Sequence, residues 1–192
     1  MSVLSISDFQ KNVKGGGARA NLFVATINNP IDETTVEPSR FLIKTAELPG
    51  STITPIIIPF RGRQLKISGD RTFDPWTVTV INDNEFTIRK VMEDWMAEMN
   101  NHEDNQGANT GYFADMSVAQ LDRNGVELAK YNLVGAWPSD LGPISVSFDN
   151  ENQIEEYQVT FQYQYWTREG TKVGGLPTSS ADDFDLGGGN FG

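Results

Sequence analysis

The side chains of this chain that could do chemistry are few and scattered. His102 is the one histidine among 192 residues, and it sits in NNHEDN beside Glu103 and Asp104. A metal centre needs several convergent ligands, and one loop imidazole between polar residues reads as a solvated surface cluster. Asp149, Glu151 and Gln153 have the alternation of a calcium loop, but the central glycine and the closing glutamate are misplaced, so a tight polar turn is expected. Gly15 to Gly17 lacks the preceding strand, the lysine and the hydroxyl of a phosphate-cradling loop. With a single histidine there is no Ser-His-Asp relay to defend, and no pair among the many carboxylates stands out. No catalytic, cofactor-binding or metal-binding residue is therefore assigned, and the chain is not expected to be an enzyme. Asp70 and Arg71 leave two readings open: a turn that Asp70 caps beside a solvated arginine, or a fixed ion pair at a subunit contact.

Composition narrows the class. There is no cysteine, which excludes disulfide scaffolds and thiolate chemistry and fits synthesis in the cytoplasm. The formal charge of −11 argues against a protein that grips DNA or an anionic membrane, because phosphate binders carry basic surfaces. It does not argue against one that lets DNA pass without holding it. No apolar run approaches the ~20 residues of a membrane span, and the start, MSVLSISDFQKNVKGGG, lacks the pattern of a signal peptide.

The element that must position everything else is Ser68 to Asn100. Trp76, Val78 and Val80 alternate with Thr77, Thr79 and Ile81, which predicts a strand. Asn82 and Glu85 have capping-box spacing, which predicts a helix from about Asp83. Ile88, Val91, Met92, Trp95, Met96 and Met99 form its apolar stripe, so the helix should lie back over the same sheet. It is the one convincing helix of the chain.

Around it the pattern is short strands and turns. Strands are expected at Asn21 to Asn28, at Arg40 to Ala46, and at Arg61 to Ser68 running into a Gly69-Asp70 turn. Ser51 to Phe60 is apolar, but Pro55 and Pro59 remove ladder donors, so it is an edge strand or an extended arm. Ile56, Ile57 and Ile58 within it need a partner to cover them. Tyr112 to Leu121 and Val126 to Val134 read as a hairpin about Asn124-Gly125. Gly135 to Pro143 reads as a loop, and Ile144, Val146 and Phe148 alternate with serines. Ile154 to Trp166 is the clearest strand. Tyr157, Val159, Phe161, Tyr163 and Tyr165 face the core, while Gln158, Thr160, Gln162 and Gln164 form a polar, uncharged face. The domain organisation is a flexible arm over residues 1–17, a β-sandwich over 18–167 and a Gly/Ser/Asp-rich tail over 168–192. In that tail Phe184, Leu186 and Phe191 are candidates for docking on a neighbouring copy of the chain. The fold class is mainly β: an antiparallel β-sandwich or barrel with one flanking α-helix.

Two stretches, GDRTFDPWTVTVINDNEF from Gly69 to Phe86 and GAWPSDLGPISVSFDNENQIEEYQVTFQYQYW from Gly135 to Trp166, resemble the tail-tube proteins of contractile-tailed bacteriophages. ARANLFVATI and the LPG at Leu48 to Gly50 fit as well, so the resemblance runs in order from about Ala18 to Trp166.

The resemblance implies a virion protein whose hexameric rings stack into a tube inside a contractile sheath. It also implies baseplate and tail-terminator proteins at the tube's ends. DNA would pass through the lumen without specific binding, and no cofactor or membrane anchor is implied. Assembly would take place in the host cytoplasm. On that reading Ile56, Ile57, Ile58, Asp70 and Arg71 are candidate ring-interface residues, and Gln158, Thr160, Gln162 and Gln164 are candidates for the channel wall. Two other readings stand: a tube subunit of a related injection machine that delivers protein, and a ligand-binding β-sandwich with Trp137 as a stacking platform.

Overall fold

A computed structural model describes residues 5–13, 17–31, 34–37, 39–108, 110–149 and 151–169. The elements in chain order are α1 (Ile6–Asn12), β1 (Phe23–Thr26), β2 (Asn28–Asn29), β3 (Thr34–Thr35), α2 (Ser39–Leu42), β4 (Ile43–Ala46), β5 (Thr52–Phe60) and β6 (Arg63–Thr72). They continue with β7 (Trp76–Ile81), α3 (Thr87–Met99), β8 (Ala114–Leu121), β9 (Glu127–Leu141), β10 (Glu156–Gln162) and β11 (Tyr165–Arg168). The expected antiparallel, mainly β architecture with a helix packed on it is what the chain forms.

One seven-stranded sheet runs β1-β8-β9-β10-β7-β4, with β11 also paired to β9. It is open, with β1 and β4 at its edges. β9 joins its two halves. The first part of β9 pairs with β8 and β11, and its last part pairs with β10. The stretch from Gly135 to Leu141, expected to be a loop, therefore belongs to a 15-residue strand. Its Gly-Pro composition reads as a turn, but the register shifts opposite Met116 and Phe161 absorb the irregularity. The backbone N–H of Gly135 is satisfied by the Asp115 carboxylate at 3.0 Å.

Alternation on β7 buries Trp76, Val78 and Val80, and alternation on β10 buries Tyr157, Val159 and Phe161. Ala25, Met116, Val118, Leu133 and Ala136 from the other half of the sheet join the same core. α3 lies over this face with Ile88, Met92 and Trp95 buried. Trp95 is fully inaccessible, its ring 6.4 Å from that of Phe161, and its indole N–H donates to the Tyr112 carbonyl at 2.7 Å. The strand-to-helix return expected from the sequence is thus the packing seen.

Several local expectations are corrected. α3 starts at Thr87, and its first turn is held by Asp83, which accepts from the Thr87 N–H at 2.8 Å and from its hydroxyl at 2.6 Å. The Thr87 hydroxyl holds the Asp83 carboxyl below the usual carboxylate range. Asn82 is not the cap; its amide donates to Glu155 at 2.9 Å. Two further helices exist. α1 has Ser5 as N-cap and buries none of its residues, and α2 occupies the start of the strand expected at Arg40 to Ala46. Ile144 to Phe148 is not a strand, and Val146 and Phe148 are exposed. The strand expected over Ile154 to Trp166 breaks at Tyr163–Gln164 into β10 and β11.

Candidate functional site

Two surfaces stand out once the core is assigned. The first is the sheet face turned away from α3. Gln158, Thr160 and Gln162 project from β10 on the side opposite its buried residues. Thr79 lies opposite Gln158, and Thr77 lies opposite Thr160. The Thr77 and Thr160 hydroxyls are 3.1 Å apart, and the Thr45 hydroxyl donates to that of Thr79 at 2.8 Å. At the strand's start Lys44 is held by Glu156 at 2.6 Å. The result is a wall of hydroxyls and amides whose nearby cation is already paired. Gln164 does not continue it in line: it sits in the break before β11, with its N–H on the Val134 carbonyl at 3.0 Å. Thr45, Thr77 and Thr79 were missed as members of this face. The signal was present for two of them, since Trp76, Val78 and Val80 as core residues leave Thr77 and Thr79 on the other side.

The second surface is the β5–β6 ribbon, a two-stranded sheet that pairs with no other strand among the described residues. Arg61 and Gly62 at its tip both have positive φ, 44° and 79°, as a type I′ hairpin turn requires. The expected turn at Gly69-Asp70 is absent, and β6 runs straight through it. A register shift between Ile53 and Pro55 lies opposite, and a Cβ at Gly69 would collide with the Thr54 carbonyl oxygen. The glycine therefore serves a close backbone approach inside the ribbon.

Pairing gives the ribbon two different sides. Ile56 faces Ile67, Ile58 faces Leu65 and Phe60 faces Arg63, so one side is almost wholly apolar. Ile57 faces Lys66, Pro59 faces Gln64 and Ile53 faces Arg71 on the other. Ile56, Ile57 and Ile58 are 52%, 50% and 43% exposed, so nothing among the described residues covers either side. Asp70 and Arg71 are exposed strand residues, and neither joins a salt bridge among the described residues. The reading of Asp70 as a turn cap is thereby set aside.

The remaining chemical candidates do not converge. Among the described residues no group of three or more His, Cys, Asp or Glu could hold a metal ion. Around His102, the Asn101 and Asp104 side chains accept from the nearby Glu103 and Gln106 N–H groups. Trp137 is half-buried and meets Tyr112 edge-on at 6.5 Å, so it is no exposed stacking platform. No helix among the described residues is long and apolar enough to cross a membrane. The tail residues Phe184, Leu186 and Phe191 lie outside the described residues.

The family model for phage tail tube proteins matches residues 12–169, which is most of the chain. The chain belongs to the phage tail tube protein family. Among curated relatives, the tail tube protein gp19 of Enterobacteria phage T4 is 32% identical over 155 aligned residues, 79% of this chain and 92% of that protein. Among solved structures, the sheath/tube terminator of the extracellular contractile injection system PVC has a TM-score of 0.60 at 14% identity, covering 79% of this chain and 95% of that one. The sheath-tube complex of the same system gives 0.55 at 15%, covering 87% and 99%. These two likenesses concern the fold. In a tail tube family member the two surfaces above are the features to explain.

Proposed function

We propose that this tail tube family member is the subunit of a phage tail tube: it forms hexameric rings that stack inside a contractile sheath, and DNA leaves through the lumen. The observation that carries the reading is the β5–β6 ribbon. An isolated two-stranded ribbon is marginal in water, and this one leaves Ile56, Ile57, Ile58, Phe60, Leu65 and Ile67 exposed. Such a surface fits a subunit whose neighbours complete its core, and Asp70 and Arg71 at its base lie within the same interface. Baseplate and terminator proteins close the ends, and the finished structure is part of the virion tail, assembled in the host cytoplasm.

The wall of Gln158, Thr160, Gln162 and the neighbouring threonines suits a water-filled channel, with Gln164 at its margin. Hydroxyls and amides give DNA phosphates no fixed cation to condense on, and a net charge of −11 per subunit adds mild repulsion that keeps the duplex off the wall. The function needs no catalysis and no cofactor. The 32% identity to phage gp19 favours a DNA conduit over a protein-delivering tube, since the injection-system likeness is at 14–15% identity.

Negative-stain imaging of the purified protein tests the reading. Rings or stacked tubes with a central hole are expected at high concentration. A protein that stays monomeric at all concentrations and salt conditions refutes it.

A further inference from the structure

The ribbon's charge is opposite to that of the body that carries it. From Thr52 to Thr72 it holds Arg61, Arg63, Lys66 and Arg71 against Asp70 alone, a net charge of +3. The remaining 11 basic and 25 acidic residues leave −14 on the rest of the chain. A cationic ribbon with uncovered isoleucines therefore projects from an acidic protein.

A matching surface lies elsewhere on the same chain. The segment between β9 and β10, residues 143–156, has no Lys or Arg and carries Asp149, Glu151, Glu155 and Glu156. Its described residues form no strand before Glu156. Val146, Phe148 and Ile154 are 78%, 106% and 69% exposed, although they are large and apolar. Val146 and Ile154 line an open concavity of about 680 Å³ with Ser145, Gln153, Glu155 and Glu156. Asp149 and Glu151 enter no salt bridge among the described residues, while Glu156 is paired with Lys44 and Glu155 with Asn82. The concavity thus has Glu155 and Glu156 in its lining, and the same segment carries Asp149 and Glu151 outside it, an acidic and partly apolar surface of the kind that the ribbon's apolar side and its cations would complement.

We infer that the β5–β6 ribbon of one copy docks against the acidic segment between β9 and β10 of a second copy of this chain, the apolar side that carries Arg63 meeting Val146 and Ile154, and the cations on the ribbon's two sides, Arg63 and Lys66, drawn by the field of Asp149 and Glu151. This rests on the tube-subunit reading and adds the partner surface and the sign of the attraction. The two patches are different, so one cannot pair with itself. Every copy donates a ribbon and receives one, which makes the contact head-to-tail and drives rings or filaments instead of closed dimers. The attraction is between exposed charges, so salt weakens the first encounter over a Debye length of about 8 Å at physiological ionic strength.

Charge reversal on the full-length protein tests it. The ribbon variant carries Arg63→Glu and Lys66→Glu; the loop variant carries Asp149→Lys and Glu151→Lys. Each alone should need at least ~100-fold more protein to assemble than wild type, because like charges then face each other. Mixed in equal amounts they should co-assemble alternately near the wild-type concentration. Both contacts are then attractive again: the acidic ribbon of the first variant meets the basic loop of the second, and the unchanged ribbon of the second meets the unchanged loop of the first. Sedimentation reads assembly, and circular dichroism confirms that each variant is folded. If a reversal unfolds, the neutral variant with Arg63→Gln and Lys66→Gln replaces it and should show a flatter salt dependence of assembly. Assembly of either variant alone at the wild-type concentration overturns the docking inference, as does a mixture of folded variants that fails to assemble. In both cases wild-type tubes leave the tube reading standing. A wild type that never assembles overturns both.

Discussion

Substitution of Ile58 separates a ribbon that is an interface from one that is merely exposed. Ile58 is 43% accessible in the single subunit and faces Leu65 across the ribbon. Replacing it with Asp should cost the free subunit no more than ~1 kcal/mol, the span of strand propensity at an exposed site. In an assembly that covers the ribbon the cost is different. Roughly half of a buried isoleucine's 1.5–3 kcal/mol remains to be gained on docking, so about 1 kcal/mol is lost. The new carboxylate must also be desolvated beside Leu65 with no cross-strand cation, a penalty of several kcal/mol. Taking ~4 kcal/mol for the sum, the concentration needed for assembly should rise on the order of 1000-fold, at 1.4 kcal/mol per tenfold. Ile57→Asp should be milder, because Lys66 lies opposite and an opposite-charge pair returns ~0.2–1 kcal/mol. Sedimentation across a concentration series reads assembly, and thermal unfolding of the dilute subunit reads the fold. Tubes from Ile58→Asp at the wild-type concentration would show that the ribbon is not buried between subunits. A large drop in the melting temperature of the dilute subunit would show that it is already packed within one.

Three further outcomes are expected. Trp95→Ala removes a fully buried side chain and leaves the Tyr112 carbonyl without its indole donor, so a loss of ~3–5 kcal/mol is expected in denaturant unfolding; an unchanged midpoint would contradict the placement of α3. Burial pushes the Tyr157 phenol up to about 12 from 10.0, so its contribution to stability is full below pH 10 and is lost as the pH rises from 10 towards 12. Its hydroxyl is buried with no hydrogen-bond partner among the described residues, so Tyr157→Phe should leave stability at pH 7 within ~1 kcal/mol and soften the alkaline loss, with the melts at the two pH values as the check. Tubes carrying Gln162→Lys and Gln164→Lys should assemble, yet DNA ejection should slow at low salt and recover as salt is added; ejection unaffected at low salt would remove this strand from the channel wall.

Alternation and spacing sufficed where one element's own pattern decided its fate. Trp76, Val78 and Val80 on β7 and Tyr157, Val159 and Phe161 on β10 are buried as their period-2 placement requires. The stripe from Ile88 to Trp95 faces that core for the same reason at helical spacing. Pro55 and Pro59 marked β5 as a strand that joins no central ladder, and the Asn124-Gly125 turn is closed by Asp122, which accepts from the Asn124 and Val126 N–H groups. The family, too, was legible in the order of its motifs. What the sequence left open depended on partners distant along the chain. Gly135 to Leu141 has loop composition, but it becomes strand because β10 and β8 supply ladder partners from residues far away. Gly69 looks like a turn until the Thr54 carbonyl is seen against it. The helix starts at Thr87, where Asp83 accepts from the first-turn N–H, while the Asn82 side chain is turned to Glu155, 73 residues later. The union of Thr45, Thr77, Thr79 and Thr160 into one polar face and the bare two-sided ribbon are products of pairing register. Register is set by hydrogen bonds between strands, and no single strand's sequence contains it.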